Sequence, residues 1–149
     1  MKMQQNEKNA AERMLPGVIT SAGFLGSDGR TLTDIIQQDE ELFRSEGLEF
    51  EAVADELQRL ERIGNKGLGE PTTVDGVWLV KSDEARGKLP CPFADGIFHK
   101  NSVIVERGGD RIVYSDLSIH LLRAHHFCQG KGSPFRLDAA VLKRILAKS

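Results

Sequence analysis

Residues 102–114, SVIVERGGDRIVY, carry the stronger of the two β-hairpin patterns in the sequence. Two runs rich in β-branched residues flank Gly108-Gly109-Asp110, a pattern typical of a β-hairpin with a three-residue loop. Residues 72–80, TTVDGVWLV, repeat this pattern around an Asp-Gly turn signal. Residues 97–100 add a further candidate strand. The sequence therefore predicts a small antiparallel sheet in the middle of the chain.

Helical patterns lie on both sides of the predicted sheet. Before it, apolar residues at helical spacing mark two helices within residues 32–43 and 50–60, and Gly47 lies between them. After it, Ser115 and Asp138 are candidate N-caps of two further helices. Helices, then strands, then helices indicate an α+β fold. We predict one α+β domain over residues 15–149, with an N-terminal helical hairpin and C-terminal helices packed on one face of the small antiparallel sheet.

The N-terminal region lacks these signals. Residues 1–14, MKMQQNEKNAAERM, are polar and uncapped, and we predict a flexible arm there. Residues 15–30 are glycine-rich, which indicates irregular coil or a short edge strand. The start has no apolar segment typical of a secretory signal, and no run approaches the roughly 20 apolar residues of a membrane helix. With two cysteines and no disulfide framework, we expect a cytoplasmic protein with no membrane contact.

Charge is distributed unevenly over the 149 residues, although the net charge is only −2. Residues 34–62 carry ten acidic and three basic side chains, whereas residues 83–148 carry seven acidic and eleven basic ones. An anionic ligand would therefore meet the second half. The acidic residues also fit the solvated outer faces of two helices. Because the second helix of the N-terminal hairpin is acidic, we predict no nucleic-acid partner.

All four histidines and both cysteines lie in residues 86–100 and 114–136. Such gathering of reactive side chains points to a functional site, which we place where the two segments meet. The leading hypothesis is a ligand-binding or regulatory protein that receives a small anionic molecule or a protein partner there. The candidate ligand-binding residues are Arg86, Asp95, Arg123, Lys131 and Arg136. We also expect a homodimer, since two-fold pairing is the commonest oligomeric state.

A small enzyme is the second hypothesis, and the sequence leaves open whether the protein is one. Asp116 and His120 are four residues apart on one helical face, so the carboxylate could orient His120 as a general base. Asp116 could equally complement the positive helix N-terminus. Cys91 lies between two prolines and precedes His99, which makes a Cys–His nucleophilic pair conceivable. The catalytic candidates are His120, Asp116 and Cys91.

A zinc-binding domain is the third hypothesis, with Cys91, His99, His125 and Cys128 as the ligands. The chain lacks the close Cys-x(2–4)-Cys spacing of zinc knuckles. His120 and His125 are five residues apart, a step that turns their side chains about 140° apart on a regular helix. For these reasons the first expectation is that no metal or other cofactor is bound, and zinc is the alternative.

Gly130-Lys131-Gly132-Ser133 lacks the spacing of a P-loop and follows a predicted helix, so it indicates a helix-ending loop that could hold a generic anion. Residues 86–93 (RGKLPCPF), 115–120 (SDLSIH) and 130–137 (GKGSPFRL) resemble a family of uncharacterised bacterial proteins, and residues 23–26 (GFLG) fit the same resemblance. The resemblance covers most of the chain after residue 14. It implies a small bacterial cytoplasmic protein and carries no catalytic role.

Overall fold

The computed structural model describes residues 2–147. It contains five helices and one four-stranded antiparallel sheet, which confirms the predicted α+β class. The helices are α1 (Lys2–Arg13), α2 (Leu32–Ser45), α3 (Phe50–Gly64), α4 (Asp116–His125) and α5 (Ala139–Leu146), and a short 3-10 turn (Asn65–Gly67) follows α3. The strands are β1 (Thr72–Val74), β2 (Trp78–Pro90), β3 (Ile97–Arg107) and β4 (Asp110–Tyr114). No helix within residues 2–147 has the length and apolar character needed to cross a bilayer.

The strands follow one another in the sheet in chain order, β1-β2-β3-β4. Both predicted hairpins are present. The loop between β3 and β4 is two residues long and not three, because Asp110 already pairs with Arg107. Gly108 and Gly109 have φ values of 55° and 90°, which only glycine adopts easily. Such a two-residue turn matches the right-handed twist of the strands that it joins.

Strands β2 and β3 extend beyond the sequence prediction into a long hairpin that ends at residues 91–96. Its register shifts between Glu84 and Lys88. Strand β1 pairs only with residues 78–80, so no described strand covers the outer edge of β2 over residues 81–90. We call this the open edge. Its charged side chains, all exposed, are Lys81, Asp83, Glu84, Arg86 and Lys88.

Helices α3, α4 and α5 cover one face of the sheet, and α2 packs against α5 and α1. Alternate strand residues on that face, among them Val80, Val105 and Ile112, are buried and lie opposite one another in the register. They pack against apolar side chains of α3, α4 and α5 in one continuous core. Within it, the Tyr114 hydroxyl donates a hydrogen bond of 2.7 Å to the Leu57 carbonyl. This bond joins β4 to α3.

A second apolar cluster involves the N-terminal helix. Ala10 and Met14 are fully buried beside Cys91 and Phe127, and Arg13 donates a hydrogen bond of 2.7 Å to the Pro92 carbonyl. Residues 2–13 of the predicted arm form helix α1, Met1 lies outside the described residues, and the flexibility of this segment stays a prediction. Residues four apart share one face of a helix, and this face of α1 is apolar enough to bind the domain.

The glycine-rich segment is irregular and packs against the loop after α4. Gly130 donates to the Phe24 carbonyl at 2.9 Å, and Ser27 donates to the Lys131 carbonyl at 3.0 Å. A Cβ atom on Gly130 would collide with the backbone of Leu25. This close approach of two backbones requires glycine.

Side-chain N-caps begin three of the helices, and two of them, Ser115 and Asp138, are the predicted ones. The side chains of Thr31, Ser115 and Asp138 accept hydrogen bonds from backbone N–H groups in the first turns of α2, α4 and α5, respectively. Because these bonds satisfy N–H groups that have no partner within the helix, they fix where each helix begins.

Candidate metal centre

Four side chains of metal-ligating types meet at one point near the surface. They are Cys91, Asp95, His120 and His125, and one potential ligand atom of each lies within 4.8 Å of all the others. The Asp95 carboxylate joins the two rings: its Oδ1 is 2.9 Å from His120 Nε2, and its Oδ2 is 2.7 Å from His125 Nε2. We call these four residues the metal-ligand cluster.

A tight loop between β2 and β3 provides two members of the cluster. The Cys91 N–H donates to the Gly96 carbonyl, and the Ala94 N–H donates to the Cys91 carbonyl, both at 2.8 Å. Ala94 has a φ of 62°, a left-handed conformation that is unusual for residues other than glycine. These bonds fold residues 91–96 back on themselves, so that Cys91 and Asp95 reach the same point from positions four apart.

Helix α4 provides the other two members. His120 lies in its middle and His125 is its last residue. The two rings are 5.3 Å apart between centroids and nearly perpendicular, at 79°. Asp95 lies between them and offers one oxygen to each ring, so the histidines need not share one helical face. The five-residue spacing of His120 and His125, which turns their side chains about 140° apart on a regular helix, is therefore compatible with a common site.

Phenylalanine side chains pack against the rings of His120 and His125. Phe93 stacks on His125 at 4.0 Å between centroids, and Phe98 lies 4.5 Å from His120. These two phenylalanines belong to the segment that also carries Cys91 and Asp95. The arrangement is thus preformed by packing as well as by hydrogen bonds, which reduces the entropy lost when a ligand binds.

The surroundings of the cluster shift the pKa values of Cys91 and Asp95 in opposite directions. Cys91 is 1% exposed, and burial together with its hydrogen bond to Asp95 raises the pKa of its thiol to about 12. Burial alone would raise the pKa of Asp95, but hydrogen bonds from Cys91, His120 and His125 outweigh it and hold that pKa well below its usual range. A thiol that stays protonated is a poor nucleophile, so this geometry does not favour covalent catalysis by Cys91.

The cluster differs from the predicted zinc ligands at two positions. His99 is exposed on β3, where it pairs with Lys88. Cys128 is buried in the core beneath the sheet, and Cys91 is buried in the second apolar cluster, so the two cysteines lie in different clusters. The predicted set of Cys91, His99, His125 and Cys128 is therefore not brought together. Asp95 and His120 replace the two misplaced ligands.

Asp116 does not bond to His120. Its N–H donates to Asn101 Oδ1 at 2.9 Å, and the Asn101 amide nitrogen donates to Glu61 Oε1 at 2.8 Å. Glu61 is 7% exposed, and burial together with the hydrogen-bonded Asp116 carboxyl raises its pKa to about 8. Sequence reasoning missed Glu61 because its neighbours in α3 form an ordinary apolar stripe.

Two of the predicted anion-binding arginines are already neutralised within the protein. Arg123 lies 2.7 Å from Asp55 and 3.4 Å from Glu51, and so joins α4 to α3. Arg136 binds the buried carboxylate of Asp39.

The other two predicted cations remain at the surface. Arg86 and Lys131 are exposed, and neither side chain forms a salt bridge within residues 2–147. Lys131 instead binds Asp28 through its backbone N–H, at 3.1 Å. Of the five predicted ligand-binding residues, only Asp95 belongs to the metal-ligand cluster.

The sequence contains one signal that matches the cluster, the pair of spacings Cys91-x(3)-Asp95 and His120-x(4)-His125. Searches for similar proteins found no matching family model, no matching curated protein and no matching solved structure. The resemblance to uncharacterised bacterial proteins therefore stays a prediction, and the metal-ligand cluster itself carries the functional argument.

Proposed function

We propose that this protein is a zinc-binding domain whose ion is held by Cys91, Asp95, His120 and His125. The observation that carries the proposal is the convergence of four ligand atoms within 4.8 Å. In a tetrahedral site with bonds of about 2.0–2.3 Å, neighbouring ligand atoms are about 3.3–3.8 Å apart. To reach that geometry, the Asp95–histidine oxygen–nitrogen distances of 2.9 and 2.7 Å would lengthen slightly, and separations near 4.8 Å would shorten by about 1 Å.

The donor set favours zinc over the harder cations. Sulfur, two imidazole nitrogens and one carboxylate oxygen are ligands that Zn²⁺ accepts, whereas Mg²⁺ and Ca²⁺ prefer oxygen alone. Charge supports the same choice. A bound Zn²⁺ would deprotonate the Cys91 thiol, and the resulting thiolate and the Asp95 carboxylate together balance a divalent ion. A neutral site suits the apolar surroundings formed by Phe93 and Phe98.

The number of ligands favours a structural role for the ion. Structural zinc sites have four protein ligands, whereas catalytic sites keep one position open for water or substrate. The ion would link residues 91–96 to helix α4, whose ligand His120 follows Asp95 by 25 residues. Because an ion that binds only the folded state stabilises it, zinc would strengthen the second apolar cluster.

Elemental analysis of purified protein and substitution with Co²⁺ test this function. We expect about one zinc per chain, and a Co²⁺ form with thiolate charge-transfer absorption and intense visible bands typical of tetrahedral sites. Cys91→Ser, His120→Ala and His125→Ala should lose zinc. His99→Ala and Cys128→Ala are matched controls that remove the same residue types outside the cluster, and they should retain it.

Two results would overturn the proposal. One is a wild-type protein that contains no zinc and whose melting temperature does not rise when Zn²⁺ is added. The other is equal loss of zinc in His99→Ala and His120→Ala, which would place the site elsewhere.

A further inference from the structure

A cavity of about 310 Å³ lies away from the metal-ligand cluster. Residues 19–24, Leu89 near the end of β2, Lys100 and Asn101 of β3, the start of α4 and the loop at 129–135 form its walls. None of the four proposed zinc ligands lines it. A volume of this size is at the lower end of the range for small-molecule sites. The cavity therefore has room for a compact organic molecule.

Two hydrogen-bond donors in the cavity wall have no partner within residues 2–147. Lys100 forms no salt bridge there. Gln129 is 5% exposed; its side-chain oxygen accepts from Ser133 at 2.6 Å, while its amide nitrogen donates to no described residue. Lys100 is exposed and the Gln129 amide nitrogen keeps contact with solvent, so both donors are accessible to a ligand that accepts hydrogen bonds.

The backbone of Gln129 is fixed in an unusual conformation. Its φ is +70°, in the left-handed region, and its carbonyl accepts a hydrogen bond of 2.6 Å from Arg136. Strained backbone that is held by its surroundings is concentrated at binding and catalytic sites. The close backbone contact between Gly130 and Leu25 further holds this wall of the cavity in place.

The remaining walls are largely apolar and carry no acidic side chain. Phe24, Leu89 and Leu117 contribute hydrocarbon surface. Lys100 is the only cationic side chain among the described residues of the wall, so the cavity matches a group of charge −1, whereas a phosphate dianion requires more positive charge than Lys100 supplies. We propose that this cavity binds a small monocarboxylate with a compact apolar group, a site independent of the proposed zinc ion.

The test is a titration followed by ¹⁵N–¹H NMR spectra of the full chain. The probes are benzoate, cyclohexanecarboxylate and hexanoate, and benzamide is the neutral analogue of the first. We expect at least one acid to shift the signals of Gln129, Ser133 and Lys100 with a Kd on the order of 1 mM, and benzamide to bind at least tenfold more weakly.

A pair of lysine variants tests whether the Lys100 ammonium group binds the carboxylate. Lys100→Gln should weaken binding of the acid by about tenfold. Lys88→Gln changes an exposed lysine of the same hairpin outside the cavity and should leave binding unchanged. The proposal is wrong if none of the three acids shifts these signals, if benzoate and benzamide bind equally, or if Lys100→Gln binds like the wild type.

Discussion

The guanidinium of Arg136 binds both carboxylate oxygens of Asp39, at 3.0 and 2.8 Å, and so joins the loop after α4 to helix α2. The Asp39 side chain is only 1% exposed. One arginine nitrogen also donates to the Gln129 carbonyl. This ion pair is therefore part of the interior, although its arginine looks from the sequence like a free cation in a basic half of the chain.

Removal of Arg136 should be strongly destabilising. Arg136→Ala leaves the buried Asp39 carboxylate without its partner, and we expect the free energy of unfolding to fall by about 3 kcal/mol. Urea denaturation measures this change. Arg144→Ala is the control, because it breaks a similar two-bond pair with Asp110 at the surface and should have little measurable effect. Equal losses in the two variants would contradict the assignment.

Stability should fall as pH rises through the neutral range because of Glu61. Its folded pKa is about 8, against an ordinary value of 4.5, so between these values the folded state holds a proton that the unfolded state has lost. The contribution is fully present below about pH 4.5 and is lost as pH rises through about 8. The groups that face Glu61 are Asp116 and Asn101, with Glu84 nearby.

Glu61→Gln isolates that dependence. The wild type should lose about 4 kcal/mol of stability between pH 5 and pH 8.5, and Glu61→Gln should not show this fall, measured by urea denaturation at each pH. Glu70→Gln, an exposed change, should keep the wild-type profile. A profile that is the same in Glu61→Gln and in the wild type would show that another group is responsible.

A matched pair of glycines tests the contact between the two loops. Gly130→Ala places a methyl group against the backbone of Leu25 and should cost about 2 kcal/mol. Gly29→Ala meets nothing within 4 Å and needs no left-handed backbone, so it should be neutral or slightly stabilising. Thermal unfolding of both variants gives the comparison, and a neutral Gly130→Ala would mean that the loops separate at little cost.

Chelation should lower stability only when the metal-ligand cluster is intact. At a zinc concentration about 100 times the Kd, binding adds about 2.7 kcal/mol to the folded state. EDTA should therefore lower the melting temperature of the wild type and of His99→Ala, and leave that of His125→Ala unchanged. A wild type whose melting curve does not respond to EDTA would contradict a stabilising ion.

Local signals account for the parts of the fold that the sequence predicts. The Gly108-Gly109 turn and the N-caps Ser115 and Asp138 depend only on residues that are close in sequence, and each lies where the pattern indicates. Helix α1 could not be predicted in this way. Its attachment depends on Ala10 and Met14 fitting a surface formed by residues far along the chain.

The candidate site was predicted at the level of segments and not of side chains. Spacing alone cannot show that residues 91–96 fold back, which brings Asp95 to the histidines and leaves His99 outside. Composition likewise reveals a cation at Arg123 without revealing that Glu51 and Asp55 neutralise it. In both cases the interaction partners lie on other elements of the chain.

The open edge of β2 has a consequence for association between copies of the chain. An uncovered strand edge offers free N–H and C=O groups to another strand, which promotes aggregation. Here the edge carries charged side chains of both signs, a register shift near Gly87 and a terminal proline, Pro90. Each of these features impedes intermolecular strand pairing. The hairpin of β2 and β3 can therefore extend to the metal-ligand cluster without pairing with a strand of another copy of the chain.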